Sequence, residues 1–400
     1  MADKSAIEWT DATWNPIVGC SIVSPGCTHC YAMGMAARIE AMTAALQAKG
    51  QTGAPHYAGT THKVNGNTIW TGKLAMAPEH ILTQPLRWAR PRRIFVNSMG
   101  DLFHEDVPDA WIDQVFAVMA LAPQHTFQVL TKRAKRMREY MTERWQPAPA
   151  HRLEWSGGDA IDIPAETKGE DREDQVRAAC EPFLEKLGLV DTDNDDLWTE
   201  DGNAKAMSWT WPLPNVWIGV SAERQQEADQ RIPDLLATPA AVRFVSAEPL
   251  LGPIDFTAIN RFPNAPKEFI HSLLGRVWTD QAGLPNPDPR WTFPGQPFCD
   301  DDRGLDWIIV GGESGPDARA MHPAWARSIR DQCAAADVPF FFKQWGEHRP
   351  LTQAEHNQAC GAVLIGNDPY DRDAYVLRVG KKAAGRLLDG IEHNGMPEMR

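Results

Sequence analysis

The sequence predicts an α/β protein built as a full or partial (β/α) barrel, and three observations support this. Short apolar runs recur along the chain and suit strands that are buried on both faces of a parallel sheet. Amphipathic stretches long enough to be crossover helices lie between them. Polar residues follow nearly every run, as expected where the carboxyl ends of barrel strands surround one site.

The predicted elements give about seven βα units. The first strand is expected near Ile17-Val18. Six clearer runs follow at Ile94–Val96, Phe127–Leu130, Val216–Val220, Arg243–Val245, Trp307–Val310 and Pro339–Phe342. The amphipathic stretches predict helices at Pro108–Ala122, Glu223–Leu236 and Pro323–Ala336.

Two segments interrupt this pattern inside what we expect to be one barrel domain over residues 1–400. Residues 146–212 form an acidic insertion with one predicted helix around Asp174–Leu187. We expect deletion of about Gly157–Ala206 within it to leave a soluble, cluster-binding protein. Most of the net charge of −13 lies there, because His151–Pro212 holds 16 Asp and Glu against 6 Lys and Arg. Residues 260–303 form a Pro- and Trp-rich insertion, and residues 350–400 a C-terminal extension.

Composition limits the class of protein and its location. The chain has 400 residues, 43% of them hydrophobic, and no apolar run long enough to cross a bilayer, which predicts a soluble protein without a membrane partner. The N-terminus has no apolar signal segment, so a cytoplasmic location is expected. In a reducing compartment, seven cysteines are thiols or metal ligands more often than disulfides.

Cys20, Cys27 and Cys30 form the strongest chemical pattern in the chain. The Cys27-Thr-His-Cys30 spacing lets two sulfurs face one metal, and Pro25-Gly26 predicts a turn that brings Cys20 near them. Three hypotheses fit three cysteines: a [4Fe–4S] cluster with one iron left open, a structural zinc ion, or thiols without a metal. The other four cysteines, Cys180, Cys299, Cys333 and Cys360, stand alone and are expected to be core or loop thiols.

The motifs together resemble a known family. They are the segment from Trp14 to Ala32 and the later runs Ser98–Phe103, Leu130–Arg133, Gly219–Glu223, Phe244–Ile254, Val310–Gly315 and Phe340–Gly346. This set is similar to the phage-associated three-cysteine-motif proteins, which are regarded as related to radical SAM enzymes. The resemblance covers nearly the whole chain apart from the two insertions.

The resemblance implies a barrel of the radical SAM type and an enzyme with a [4Fe–4S] cluster on Cys20, Cys27 and Cys30. S-adenosylmethionine (SAM) would be the second cofactor, cleaved reductively to give a radical that abstracts hydrogen from the substrate. An electron donor such as a flavodoxin or ferredoxin would then be a partner, and nucleic-acid modification or repair is the expected activity. The alternative is a non-catalytic, zinc-stabilised protein that binds nucleic acid or another partner.

Residues after the predicted strands are the candidate cofactor ligands. Met99, Gly100 and Asp101 resemble loosely the segment that holds the SAM amino group, or else form a capped turn. Ser221 and Glu223 are expected to bind ribose hydroxyls or the methionyl ammonium, unless the glutamate is buried against Arg243 or Arg319. The candidate glycine-rich turn consists of Gly311, Gly312 and Glu313, where adjacent glycines permit close backbone approach by a ligand.

Two further groups carry candidate roles. Lys343 and Glu248, each at a strand end, are the candidate catalytic residues, with the lysine as an anion or substrate contact. The second group is the basic run that we expect to contact nucleic-acid phosphates, with a solvated helix face as the alternative: Lys132, Arg133, Lys135 and Arg136.

Overall fold

A parallel sheet of seven strands forms the centre of the protein. The computed structural model describes residues 5–142, 151–154, 160–163, 171–189, 205–260, 268–279, 298, 303–365 and 373–398. The strands are β1 (Ala12–Trp14), β2 (Arg93–Val96), β3 (Thr126–Thr131), β4 (Val216–Ser221), β5 (Val242–Ala247), β6 (Trp307–Gly311) and β7 (Phe340–Gln344). Their order in the sheet is their order in the chain, and the sheet curls into a half-barrel. The prediction of an α/β fold with a partial barrel is confirmed.

The position of the first strand was predicted wrongly. Strand β1 lies at Ala12–Trp14, where Thr13 pairs with Phe95 of β2. Ile17 and Val18, the predicted strand, instead pair antiparallel with Ala75–Met76. Pro16 precedes them, and a proline has no N–H to continue a ladder, so the chain leaves the sheet at this point.

Helices cover the convex face of the sheet. The long ones are α1 (Tyr31–Gln47), α2 (Asp109–Ala120), α3 (Ala134–Thr142), α4 (Arg172–Leu187), α5 (Gln225–Leu236) and α6 (Pro323–Ala335). The predicted helices match α2, α4, α5 and α6 within three residues at each end. The main hydrophobic core lies between helices α2 to α6 and outward-facing strand residues such as Val129, Ile218, Val245 and Val310, all fully buried. The buried apolar residues of α1 belong to a separate cluster.

Aromatic rings fill the concave side of the half-barrel. Trp217, Phe244, Trp307 and Phe341 point inward from four strands and pack with Trp9 from the N-terminal segment. Phe244 lies over Gly219, where a Cβ would come within 2.6 Å of the ring, so only glycine fits there. The interior is therefore packed below the carboxyl ends of the strands and open only above them.

The acidic insertion contributes to the core, contrary to the expectation that the barrel would fold without it. Its helix α4 begins with a capping box formed by Asp171 and Asp174, and the helix packs on α2. Val176, Cys180, Phe183 and Leu184 of this helix belong to the main hydrophobic core. Low-complexity composition around the helix hid this role, and the run 191–196 lies outside the described residues.

The C-terminal extension covers the outer edge of β7. The Phe342 N–H donates to the His393 carbonyl at 3.0 Å, and the Gly395 N–H donates to the Phe340 carbonyl at 3.0 Å. The Trp307 indole N–H donates to the Gly395 carbonyl at 2.7 Å. The tail thus acts as an extra antiparallel edge and hides a strand that would otherwise expose unpaired backbone groups.

Smaller elements surround the half-barrel. A hairpin packs on α1 (Thr61–Val64 with Asn67–Trp70), and another lies in the acidic insertion (His151–Glu154 with Ala160–Ile163). The two three-stranded sheets consist of Ile259–Asn260, Glu268–His271 and Arg276–Thr279, and of His348–Pro350, Val363–Ile365 and Ala374–Arg378. The short helices and 3₁₀ turns are Pro25–Cys27, Pro55–Tyr57, Glu79–Leu82, Gln84–Arg87, Lys205–Met207, Gln353–His356 and Lys381–Ala384.

Much of the second insertion lies outside the described residues, including 280–297 and Cys299. Of the helices that the structure describes, none combines the length and the apolar character needed to cross a bilayer.

Candidate functional site

A cavity of about 480 Å³ opens at the carboxyl ends of the parallel strands. All three clustered cysteines line it. So do most of the residues predicted at strand ends, namely Gly100, Asp101, Lys132, Arg133, Ser221, Glu248, Gly312, Glu313 and Lys343. This is the edge where (β/α) barrels carry their functional sites, because the strand-to-helix loops converge there.

The cysteine loop, residues 19–30, runs across this edge between β1 and α1. It starts at Gly19, whose positive φ of 95° and close contact with the Lys73 carbonyl exclude a side chain. A 3₁₀ turn at Pro25–Cys27 reverses the chain, and Cys30 immediately precedes α1. Cys27 is buried, whereas Cys20 and Cys30 are partly exposed.

Burial governs the ionisation of these thiols. It raises the pKa of Cys20 to about 12, with the Asp101 carboxylate adding to the rise and the Arg133 guanidinium opposing it. Burial also raises the pKa of Cys30. Within the described part of the chain, no group of three or more His, Cys, Asp or Glu side chains is arranged to hold a single metal ion. The thiols line one cavity without converging on one point.

Arg133 holds the first end of the cysteine loop. Its guanidinium donates to Sγ of Cys20 at 3.6 Å and to Oγ of Ser21 at 2.7 Å. Asp101 accepts from Arg133 at 3.0 Å and from the Thr131 hydroxyl at 2.6 Å, which fixes the arginine against the end of β3. Asp101 therefore supports the loop through Arg133.

Glu223 holds the middle of the loop. It is fully buried, accepts from Oγ of Ser24 at 2.9 Å, and pairs with Lys132 and with Arg231 at 3.0 Å. Burial alone would raise the pKa of Glu223, but the two cations outweigh burial and lower it. A Cβ on Gly26 would lie 2.2 Å from its carboxylate, so the loop packs directly on this side chain.

Glu313 and Arg319 hold the second half of the cysteine loop, from Pro25 to His29. Arg319 forms two side-chain bonds to the Glu313 carboxylate, at 2.6 and 2.8 Å, and donates to the Pro25 carbonyl at 3.0 Å. Nδ1 of His29 lies 3.3 Å from the same carboxylate. Arg319, one of the two predicted structural partners of Glu223, pairs with Glu313 instead, whereas Glu223 pairs with Lys132 and Arg231.

Nζ of Lys343 lies 2.9 Å from Oε1 of Glu248, and both residues line the cavity. Glu248 also accepts from the Ser246 hydroxyl at 2.9 Å. A Cβ on Gly311 would lie 2.3 Å from the Glu248 carboxylate, so this glycine makes room for a protein carboxylate rather than for a ligand. Neither side chain bonds to the cysteine loop, which leaves the pair available for another molecule in the cavity.

Some predicted residues do not line the cavity. Met99 is buried beside α1, and Glu223 and Gly311 are not among the lining residues. Gly312 does line it, but a Cβ there would meet the Trp345 carbonyl at 2.0 Å, so the protein's own backbone requires this glycine. The four basic residues do not form one surface. The Lys132 and Arg133 side chains lie in the cavity wall, whereas Lys135 is 74% exposed and Arg136 pairs with Asp109 on the outside.

Sequence reasoning missed three sets of residues at the site. Tyr31, Trp70 and Phe95 line the cavity with aromatic surface, Ser24 bonds the cysteine loop to Glu223, and Glu8 pairs with Lys381 at 3.2 Å at the rim. Among these residues, Tyr31 was the one that the sequence could have indicated, because it follows Cys30 directly. The others come from segments distant in sequence and without a motif.

Comparison with known proteins gives one match. A family model described as a protein of unknown function, DUF5131, matches residues 4–397. No curated protein and no solved structure is significantly similar to the chain. Because the match covers the half-barrel, the cysteine loop and both insertions, the chain belongs to the DUF5131 family.

Proposed function

We propose that the protein is a radical-SAM-like enzyme whose half-barrel holds a [4Fe–4S] cluster on Cys20, Cys27 and Cys30. The observation that carries this proposal is that the three thiols line one cavity together with polar side chains from the carboxyl ends of six parallel strands, β2 to β7. The carboxylates of Asp101, Glu223 and Glu313 near the thiols are bonded to other protein groups.

The residues present fit a cluster of this kind. Iron–sulfur clusters are bound by thiolates, and a cubane binds each thiolate through a different iron, so it needs three separated sulfurs around one space. The Lys132 and Arg133 cations beside the loop balance the negative charge that three thiolates would bring. A cluster with one iron free of protein ligands would supply an electron to the sulfonium of SAM.

The remaining lining residues have separate roles in this proposal. The Lys343–Glu248 pair would bind and orient a charged group of the SAM or substrate molecule. Trp70 and Phe95 provide apolar surface that excludes water from the reacting atoms. An electron-carrier protein such as a flavodoxin or ferredoxin would deliver the electron, in a cytoplasmic setting where thiols stay reduced.

Nucleic acid is the substrate class that we propose, with modification or repair as the outcome. Its support is the family resemblance of the motifs, including phage association, together with the exposed Lys135 at the start of α3. This rests on analogy at the family level, since no base-reading module is recognisable in the sequence.

Anaerobic reconstitution with iron and sulfide tests the cluster. We expect a brown protein with about four irons and four sulfides per chain and an absorbance band near 400 nm. Addition of SAM and dithionite should then yield 5′-deoxyadenosine. A colourless protein with about one zinc ion per chain would favour the zinc-stabilised binding protein instead.

A further inference from the structure

We propose that Arg133 sets the reduction potential of the cluster by donating a hydrogen bond to the Cys20 sulfur and placing a buried positive charge beside it. This inference rests on the proposed function, because it requires the cluster on Cys20, Cys27 and Cys30. Arg133 does not touch the reacting atoms in this role, so it is a positioning residue.

The contacts of Arg133 are specific to the first cysteine. Its NH1 atom donates to Sγ of Cys20 at 3.6 Å, and its NH2 atom donates to the Ser21 hydroxyl at 2.7 Å and to the Ser21 carbonyl at 3.3 Å. The side chain is only 4% exposed. The planar guanidinium can make all these bonds at once because its five N–H groups form a rigid fork.

Two carboxylates fix the guanidinium in place. Asp101, 7% exposed, bonds to NH1 at 3.0 Å, while Glu105, 59% exposed, bonds to Nε at 2.9 Å. Solvent screens the charge of the exposed Glu105, but little solvent reaches Asp101. The field at Cys20 is therefore set chiefly by one buried cation and one buried anion that lie next to each other.

Reduction adds one electron to the cluster, which passes from [4Fe–4S]²⁺ to [4Fe–4S]¹⁺ without making or breaking a bond. A nearby cation and an N–H donated to a ligand sulfur both stabilise the more negative, reduced form. Arg133 is therefore expected to raise the potential and Asp101 to lower it. If the Asp101–Arg133 pair had only a structural role, the two variants would not shift the reduction potential in opposite directions, because loss of either partner would loosen the same loop.

The test compares reconstituted full-length variants in redox titrations with dithionite, followed by the electron paramagnetic resonance signal of the reduced cluster. Arg133→Met removes the charge and all the donors at similar length, and Asp101→Asn removes the anion while keeping the side-chain size and one acceptor oxygen. Arg138→Met is the matched control, because Arg138 lies on α3, which begins directly after Arg133, and pairs with Asp234 rather than with a residue of the cavity. Arg133→Lys keeps the charge without the fork.

We expect Arg133→Met to lower the ratio of reduced to oxidised cluster at fixed potential at least tenfold, which is about 59 mV for one electron. Asp101→Asn should shift the ratio upward, Arg133→Lys should fall between Arg133→Met and wild type, and Arg138→Met should leave it unchanged. Unshifted potentials in Arg133→Met and Asp101→Asn, or shifts of the same sign, would overturn the inference while leaving the cluster assignment intact.

If Arg133→Met does not hold a cluster, the direction in which Asp101→Asn and Arg133→Lys change the ratio of reduced to oxidised cluster tests the inference. An unchanged or lowered ratio in Asp101→Asn would then overturn it. A wild-type chain that binds no iron would overturn the proposed function, and this inference with it.

Discussion

The Ser24 hydroxyl donates a 2.9 Å hydrogen bond to Glu223, although 199 positions separate the two residues in the sequence. The bond joins the cysteine loop to the segment that follows β4. Two other strand-end side chains, Arg133 and Glu313, reach the same loop from β3 and β6. The polar residues that follow these strands therefore hold the cysteine loop in position.

Glu223→Gln should destabilise the fold by about 3 kcal/mol. The change leaves Lys132 and Arg231 facing a neutral group in a fully buried site, and breaking a buried ion pair from one side is costly. Urea unfolding followed by circular dichroism measures the effect. Glu139→Gln, at an exposed pair on α3, should change the free energy of unfolding by less than about 0.5 kcal/mol. Equal effects of the two changes would contradict the prediction.

Replacing Cys20, Cys27 or Cys30 singly by Ser should abolish binding of a four-iron cluster, because each thiol occupies a different part of the cavity wall. Iron and sulfide content after anaerobic reconstitution provides the measurement. Cys333→Ser is the control, since Cys333 is buried in α6 outside the cavity. Full iron content in any of the three loop variants would show that the ligand assignment is wrong.

Lys343→Met and Glu248→Gln should leave iron content unchanged and reduce SAM cleavage roughly tenfold or more, because a bond to a charged group contributes about 1.5–3 kcal/mol. Neither side chain bonds to the cysteine loop, and the two bond to each other at 2.9 Å. Formation of 5′-deoxyadenosine under dithionite measures the effect. The pair acts as a unit if the double variant loses no more activity than the single ones; undiminished cleavage in both single variants would remove it from the site.

Stability should depend on Glu313 in the acid range. Burial alone would raise the pKa of Glu313, but bonds from Arg319 and His29 outweigh it, so the pKa is lowered in the folded state. Its contribution is therefore complete above the unfolded value of about 4.3 and is lost as the pH falls through the folded pKa. The difference in unfolding free energy between wild type and Glu313→Gln should shrink from pH 7 to about pH 3. A constant difference would show that the carboxylate is not the source.

Phe183→Ala should cost about 3–5 kcal/mol, because the ring lies in the main core although it comes from the acidic insertion. Leu187→Ala on the same helix should have little effect, since that side chain is 41% exposed. Thermal unfolding of the two variants compares them directly. A mild Phe183→Ala phenotype would mean that the barrel folds independently of α4.

The nucleic-acid proposal has its own measurement. Lys135→Ala should weaken binding of all oligonucleotide sequences alike and lower the magnitude of the salt slope by about 0.9 on duplex, or about 0.7 on single strands, if this exposed lysine contacts a phosphate. Fluorescence titrations at several salt concentrations compare it with wild type. Identical isotherms would leave Lys135 as part of a solvated helix face.

The strands from β2 onward were predictable because each contains a short, largely apolar run that is buried on both faces of the sheet. The first strand was not, since Ala12–Trp14 is short and the more apolar Ile17-Val18 lies beside it. At the site, chain order alone placed Cys20, Glu248 and Lys343 at one edge. Chain order could not show that Asp101 pairs with Arg133, or that Glu223 pairs with Lys132 and Arg231. These pairs form only through tertiary packing.

Two residues far apart in the sequence meet at the rim of the cavity, since Glu8 pairs with Lys381 at 3.2 Å and both line it. Residues 393–395 cover the edge of β7 nearby in the sequence. A chain cut before residue 381 would keep Cys20, Cys27 and Cys30 but lose both contacts. Its thiols would then lie in a more open groove, more accessible to solvent and oxidants.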